Sequence, residues 1–275
     1  MPESNLERQI IVLFDEQGTP TFQPERETDW FLGVTVTYDL TDEKQIFSSC
    51  SELFGLSNQK PLKNNRISNS RAERISALAA ELPLEVMINS VKLANDEFQQ
   101  AVRLFEQFGN LLRARHREVG ERNIAQILHS QIVDECIPHS IFGYVERHMT
   151  TSAFLVHIDD WSIPRSDVGI YLQGRTQSIQ EKVNTFYEEQ GPNLRVRVPP
   201  IALLDEDSPR KRLVNVIASA ISRSFVREGS ARLSQVPFHT LLANHVNRYE
   251  DITQATIDFI RRLMDDMSRN PLLAN

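Results

Sequence analysis

Apolar residues in this chain alternate between short continuous runs and stripes with helical spacing. The runs at residues 9–14 and 152–158 are rich in β-branched side chains and are apolar at consecutive positions, which is typical of interior strands of a covered sheet. Further strands are predicted at residues 30–38, 84–91 and 194–198, the first as a hairpin partner of residues 9–14. The pattern therefore predicts a sheet whose strands are separated by long connections.

Helical patterns occupy most of these connections. Ser68 and Asn95 are candidate N-caps of two helices, and the Ser208-Pro209 pair opens a third that runs to about Phe225. Other helices are predicted at about residues 122–136 and 167–189 and twice after residue 234, the last with an apolar stripe at Ile252, Thr256, Ile260, Leu263 and Met267. Interleaved strands and helices indicate a mixed α/β fold. We expect a main domain over residues 1–226 and a C-terminal helical extension over residues 227–275.

Composition limits the class of protein. The 275 residues include 40% apolar and 24% charged side chains, so the chain can bury a proper core, and its formal net charge is −7. The sequence begins without the layout of a signal peptide and has no apolar run long enough to span a bilayer. We therefore expect a cytoplasmic protein that does not bind a membrane. Cys50 and Cys136 are far apart and are expected to be buried apolar residues.

Acidic residues follow the two most apolar strands. Asp15 follows the apolar run at residues 9–14, and Asp159 and Asp160 follow the run at residues 152–158. Because ligands bind at the carboxyl ends of strands in open α/β sheets, these side chains are a candidate site for Mg²⁺ or Mn²⁺, which prefer oxygen ligands. Strand alternation allows only one of Asp159 and Asp160 to face that site. The alternative is that aspartates end strands because turns favour them.

Several segments together resemble the bacterial domain-of-unknown-function 3800 family. They are Phe14-Asp15-Glu16-Gln17-Gly18, Phe31-Leu32-Gly33-Val34-Thr35-Val36, Pro61-Leu62-Lys63-Asn64-Asn65-Arg66-Ile67-Ser68 and Leu213-Val214-Asn215-Val216-Ile217-Ala218-Ser219-Ala220. The resemblance spans about residues 9–226. It implies a ribonuclease H-like fold, which is a mixed sheet flanked by helices.

The resemblance also implies roles for individual residues. Asp15 would be a metal ligand on the first strand, and Asp159 or Asp160 would supply the second acid. Lys63 would contact phosphate near the scissile bond, and Asn215 with Ser208 would complete the pocket.

This chain departs from the family pattern at two of its acidic positions. Pro61 and Asn215 stand where the family has acids. An amide oxygen brings no charge, so a divalent cation should bind more weakly here. The acids Asp205, Glu206 and Asp207 precede the last helix of the main domain and could substitute, although acids there also suit the positive end of a helix.

Local basic clusters offer the contacts that a nucleic acid would need on an acidic protein. Lys63, Arg66 and Arg71 form one candidate phosphate-binding group, and Ser208, Lys211 and Arg212 form another. Few aromatic residues accompany them, so no platform for stacking bases is expected.

The sequence thus supports two hypotheses about function. The first is a divalent-metal-dependent nuclease acting on DNA or RNA, for which the resemblance implies a setting in defence against phage or mobile elements. The second is a catalytically inactive, nuclease-like scaffold subunit, with the C-terminal helices serving a homo-oligomer or a larger protein complex.

Overall fold

A computed structural model describes residues 8–18, 29–51, 67–115, 124–148, 152–159, 168–190, 196–225 and 246–269. The strands are β1 (Arg8–Gln17), β2 (Trp30–Asp39), β3 (Glu85–Lys92), β4 (Ser152–Ile158), β5 (Val196–Arg197), β6 (Ala202–Leu203) and β7 (Val246–Asp251). The helices are α1 (Glu43–Cys50), α2 (Asn69–Glu81), α3 (Asp96–Arg115), α4 (Ile124–His148), α5 (Val168–Gln190), α6 (Pro209–Ser222) and α7 (Thr253–Arg269). Short 3₁₀ turns at Leu40–Asp42 and Arg223–Phe225 precede α1 and follow α6.

All of these strands belong to one mixed sheet in the order β5-β4-β1-β2-β3-β7, with β6 also paired to β4. Strand β2 is antiparallel to both β1 and β3, which confirms the predicted hairpin partnership of β1 and β2. Strand β4 is parallel to β1, β5 and β6, and β7 is parallel to β3. With helices packed on it, the sheet confirms the predicted α/β class, a mixed sheet flanked by helices.

Helices cover both faces of this sheet. Alternate residues of β1 therefore enter two different cores, because successive strand side chains point to opposite sides. Ile10, Val12 and Phe14 pack in the core beneath α3, α4, α5 and α7. Ile11 and Leu13 pack in the core beneath α1, α2 and α6. This double burial explains why the strand is apolar at consecutive positions.

The predicted helix starts are confirmed in atomic detail. The side-chain oxygens of Ser68 and Asn95 accept backbone N–H groups of Arg71 and Phe98 at 3.3 and 3.0 Å. Ser208 caps α6 in the same way, and Pro209 occupies its first turn. Local sequence is sufficient to set these three boundaries.

Helix α4 continues well past its predicted end at residue 136, because Pro138 does not stop it. A proline in a helix leaves the carbonyl four residues earlier without its N–H partner. Here that carbonyl belongs to Asp134, and it accepts a hydrogen bond at 2.9 Å from the Lys182 ammonium on α5. A donor from another helix therefore compensates for the proline.

The C-terminal segment differs from the purely helical extension predicted for it. Residues Val246–Asp251 form a strand that joins the edge of the sheet beside β3, and the predicted last helix follows as α7. Its stripe packs on its own chain: Ile252, Thr256 and Ile260 are buried, and Leu263 and Met267 lie partly buried against the core that includes α3. The oligomer contact predicted for the C-terminal helices stays a prediction. The domain boundary at residue 226 stays a prediction, because residues 226–245 lie outside the described ranges.

The structure also describes the two cysteines and the apolar character of the helices. Cys50 and Cys136 are both buried and unpaired, as predicted. Among the described residues, no helix has the length and apolar character to cross a membrane.

The close approach of β2 to α4 yields a test of this packing. A Cβ at Gly33 would lie 2.7 Å from Cγ2 of buried Ile132 and 3.1 Å from Cε2 of Phe14. We expect Gly33→Ala to lower the unfolding free energy by about 1–3 kcal/mol in urea denaturation, because neither neighbour has room to retreat.

The matched control is Gly174→Ala on α5, where an added Cβ meets nothing within 4 Å. That substitution should stabilise the helix by about 0.5–1 kcal/mol. A Gly33→Ala protein as stable as the wild type would contradict the close packing of α4 on the sheet.

Candidate functional site

The parallel pairing of β1 with β4 brings Asp15 and Asp159 side by side. The last paired residues are Phe14 and Ile158, and the Asp159 N–H extends the ladder by donating to the Phe14 carbonyl at 3.0 Å. Neighbouring strands lie about 4.8 Å apart, so the two aspartates at the next position are adjacent. Both lie on the face that α6 covers, as does His157 two residues before Asp159.

Asp15 is enclosed by protein, with 4% of its surface exposed. Its Oδ1 accepts the Glu16 backbone N–H and its Oδ2 accepts Nε2 of Gln17, both at 2.9 Å. Burial raises the pKa of Asp15 to about 8, and the negative charge of Asp159 adds to that shift. As long as no metal ion is bound, the Asp15 carboxyl is therefore mostly protonated at neutral pH.

Asp159 differs from Asp15 because it has a cation of its own. The Lys211 ammonium on the first turn of α6 lies 3.0 Å from Asp159 Oδ1 and 2.9 Å from Glu206 Oε1. The side chain of Asp159 is 21% exposed and that of Lys211 is 14% exposed, so this ion pair is largely shielded from water. Lys211, predicted as a nucleic-acid contact, is thus engaged within the protein.

A second polar network holds the start of α6 against the sheet. The Arg210 guanidinium donates to Glu43 Oε1 at 2.7 Å and to His157 Nε2 at 3.1 Å, and the Tyr38 hydroxyl also donates to Glu43 at 2.9 Å. Burial and the adjacent Arg210 charge lower the pKa of His157, which keeps its ring neutral and able to accept that hydrogen bond. This network fixes the position from which Lys211 reaches Asp159.

The other predicted residues of α6 are placed as follows. Ser208 Oγ accepts the Lys211 N–H at 3.2 Å, so the serine acts as an N-cap. Arg212 lies 4.0 Å from the exposed Asp207 carboxylate. Asn215 is one turn after Lys211 on the same helix face, and its Oδ1 accepts from Ser219 Oγ at 3.4 Å.

Four further candidates lie on α2 or outside the described residues. Arg71 lies in the first turn of α2, which packs against α6. Lys63, Arg66 and Asp160, together with Pro61, fall outside the described residues. Their proposed roles stay predictions.

No third acid joins the aspartate pair within the described ranges, where no group of three or more His, Cys, Asp or Glu could hold a metal ion. The three acids considered as substitutes from the sequence, Asp205, Glu206 and Asp207, are exposed. The side chains of Glu206 and Asp207 are 86% and 91% exposed. Two carboxylates with water still form an oxygen-donor set of the kind that Mg²⁺ uses. The residues therefore fit a weakly held divalent cation.

The opposite face of the same strand end holds an acid that the sequence analysis did not single out. Glu16 Oε2 contacts Nδ1 of His129 on α4, and both residues are buried. Strand alternation could have separated Glu16 from Asp15, but nothing in the sequence identifies His129 as its partner. The pair ties α4 to the end of β1.

Comparison with solved structures finds crystal structures of Bst-RNase HIII. For a mutant of that protein, the match has 12% identity and a TM-score of 0.36, and it covers 92% of this chain and 70% of the other. For its complex with Mn²⁺, the match has 13% identity and a TM-score of 0.37, and it covers 94% and 72%. At these scores no residue role carries over. No family model and no curated protein matches the sequence, so the resemblance to the domain-of-unknown-function 3800 family stays a prediction.

The raised pKa of Asp15 predicts how stability depends on pH. Between pH 4 and pH 8 the unfolded chain loses the Asp15 proton while the folded chain keeps it, so ionisation of the unfolded state lowers stability as pH rises. Relative to Asp15→Asn, the wild type should lose up to about 1.4 kcal/mol per pH unit across this range and then level off.

The measurement is urea denaturation of both proteins in metal-free buffer from pH 4 to pH 9. Asp258→Asn on α7 serves as control, since the Asp258 side chain is 53% exposed and its replacement should give a nearly constant difference. A pH-independent gap between wild type and Asp15→Asn would contradict the buried, protonated carboxyl.

Proposed function

We propose that this protein is a divalent-metal-dependent nuclease that hydrolyses phosphodiester bonds at the Asp15–Asp159 pair. The observation that carries the proposal is the convergence of two acids, remote in sequence, at the adjoining ends of β1 and β4. Such a pair at the carboxyl ends of parallel strands supports a cation and ligand site.

Asp15 and Asp159 would hold Mg²⁺ or Mn²⁺, and a bound ion of this kind activates water and stabilises a leaving oxygen. Gln17 keeps one oxygen of Asp15 in a fixed direction through its 2.9 Å hydrogen bond. The shielded position of Asp15 strengthens any interaction of its ionised form with a cation, since the local dielectric constant is low. Asn215 would add a neutral oxygen from α6.

Nucleic acid, either DNA or RNA, is the proposed substrate. Ser208, Arg212 and Arg71 stay candidates for contact with its phosphates, together with Lys63 and Arg66. The net charge of −7 makes a local site necessary, because long-range attraction of a polyanion is absent. A role in phage or mobile-element defence is an expectation of the family resemblance alone.

One observation favours the second candidate, a catalytically inactive scaffold. Asp159 is neutralised by Lys211, and no third carboxylate joins the pair among the described residues. A site of this composition holds a metal ion less tightly than a three-acid site.

Thermal unfolding with and without Mn²⁺ separates the two candidates. A ligand that binds only the folded state at 100 times its Kd adds about 2.7 kcal/mol of stability. We expect Mn²⁺ to raise the Tm of the wild type and of Asp258→Asn, and to leave Asp15→Asn and Asp159→Asn unchanged. An unchanged Tm for all four proteins favours the scaffold.

Activity is then measured on labelled RNA, single-stranded DNA and duplex DNA in Mn²⁺, with EDTA as a blank. Cleavage of at least one substrate should fall at least a hundredfold in Asp15→Asn, because the ion that stabilises the developing charge is lost. If every substrate stays intact in the wild type, or if Asp15→Asn cuts as fast, the nuclease proposal is wrong.

A further inference from the structure

The Lys211 ammonium has two carboxylate partners in very different surroundings. It lies 3.0 Å from Asp159, which is mostly shielded, and 2.9 Å from Glu206, which is 86% exposed. It can therefore leave Asp159 without losing all of its negative partners. An ammonium with only one buried partner would not have this freedom.

The backbone of Lys211 is held in place independently of this ion pair. Its N–H is bonded to the Ser208 cap, and the neighbouring Arg210 is anchored on Glu43 and His157. Only the lysine side chain has to move when the contact with Asp159 breaks, because its four-carbon stem is flexible. The helix itself can stay where it is.

The ammonium also stands against the carboxylate that a divalent cation would need. Two cations within a few ångströms of one carboxylate repel each other strongly where water is largely excluded. Asp159 therefore cannot keep its hydrogen bond to Lys211 and hold a divalent cation at full strength.

We propose that Lys211 is a built-in competitor of the divalent cation at the Asp15–Asp159 pair, so that metal binding exchanges the ammonium for the ion while Glu206 retains it. The inference rests on the proposed function, because it assumes that the aspartate pair is the metal site. It assigns Lys211 a regulatory contact with Asp159, in addition to any contact with phosphate.

The test is a Mn²⁺ titration followed by electron paramagnetic resonance of the free ion, which reads binding without any nuclease assay. Loss of a charge-assisted hydrogen bond to Asp159 should lower the Kd for Mn²⁺ about tenfold in Lys211→Met. Lys211→Gln is measured as well, because it keeps a polar end and serves alone if the methionine variant does not fold. Arg262→Met, on an exposed part of α7, removes the same charge far from the site and should leave the Kd unchanged.

The outcomes separate this inference from the function it rests on. Tighter binding by every Lys211 variant that folds supports the competition. Binding by those variants when the wild type binds no Mn²⁺ supports it too, but that result removes the metal-dependent nuclease proposal for the native chain. If wild type and Lys211 variants bind with the same Kd, the competition is wrong and the metal site stands. If none of them binds Mn²⁺, both proposals are wrong.

Discussion

The parallel register of β1 and β4 is the constraint on which the candidate site depends. It places Asp159 beside Asp15 at the carboxyl ends of these two interior strands. Both strands are covered by helices, so neither carboxylate can move far from the other. Burial and mutual repulsion raise the pKa of Asp15, and this cost remains in the folded protein. A shift of one residue in the register would turn one aspartate to the other face and remove the site.

The end of β1 distributes two consecutive acids between two opposite environments. Asp15 faces α6, where its neighbour Asp159 meets Lys211, and Glu16 faces α4, where it meets His129. On the α4 face, His129 supplies a basic group to Glu16, whereas on the α6 face Lys211 pairs with Asp159 of β4 and Asp15 keeps a proton. An ionised carboxylate buried alone would be strongly unfavourable, and the raised pKa of Asp15 avoids it by keeping that carboxyl neutral.

Local patterns predicted those parts of the fold that local physics determines. The apolar runs predicted β1 and β4, and the Ser208-Pro209 pair predicted the start of α6. The continuation of α4 past Pro138 could not be predicted, because it depends on Lys182 from another helix. Strand β7 was missed because its sequence, Val-Asn-Arg-Tyr-Glu-Asp, is mostly polar and becomes a strand only through pairing with β3.

The candidate site also combines local features with features that depend on packing. The two acids could be identified from the sequence, whereas Lys211 could not be identified as the partner of Asp159. Strand ends identify Asp15 and Asp159, whereas the partnership of Asp159 with Lys211 requires α6 to be packed across the sheet. In the absence of metal, a proton neutralises one acid and an ammonium neutralises the other, so the pair carries little net charge. A divalent cation that uses both carboxylates must therefore displace both partners. The affinity of the proposed cation would therefore depend on that competition as well as on the number of oxygen ligands.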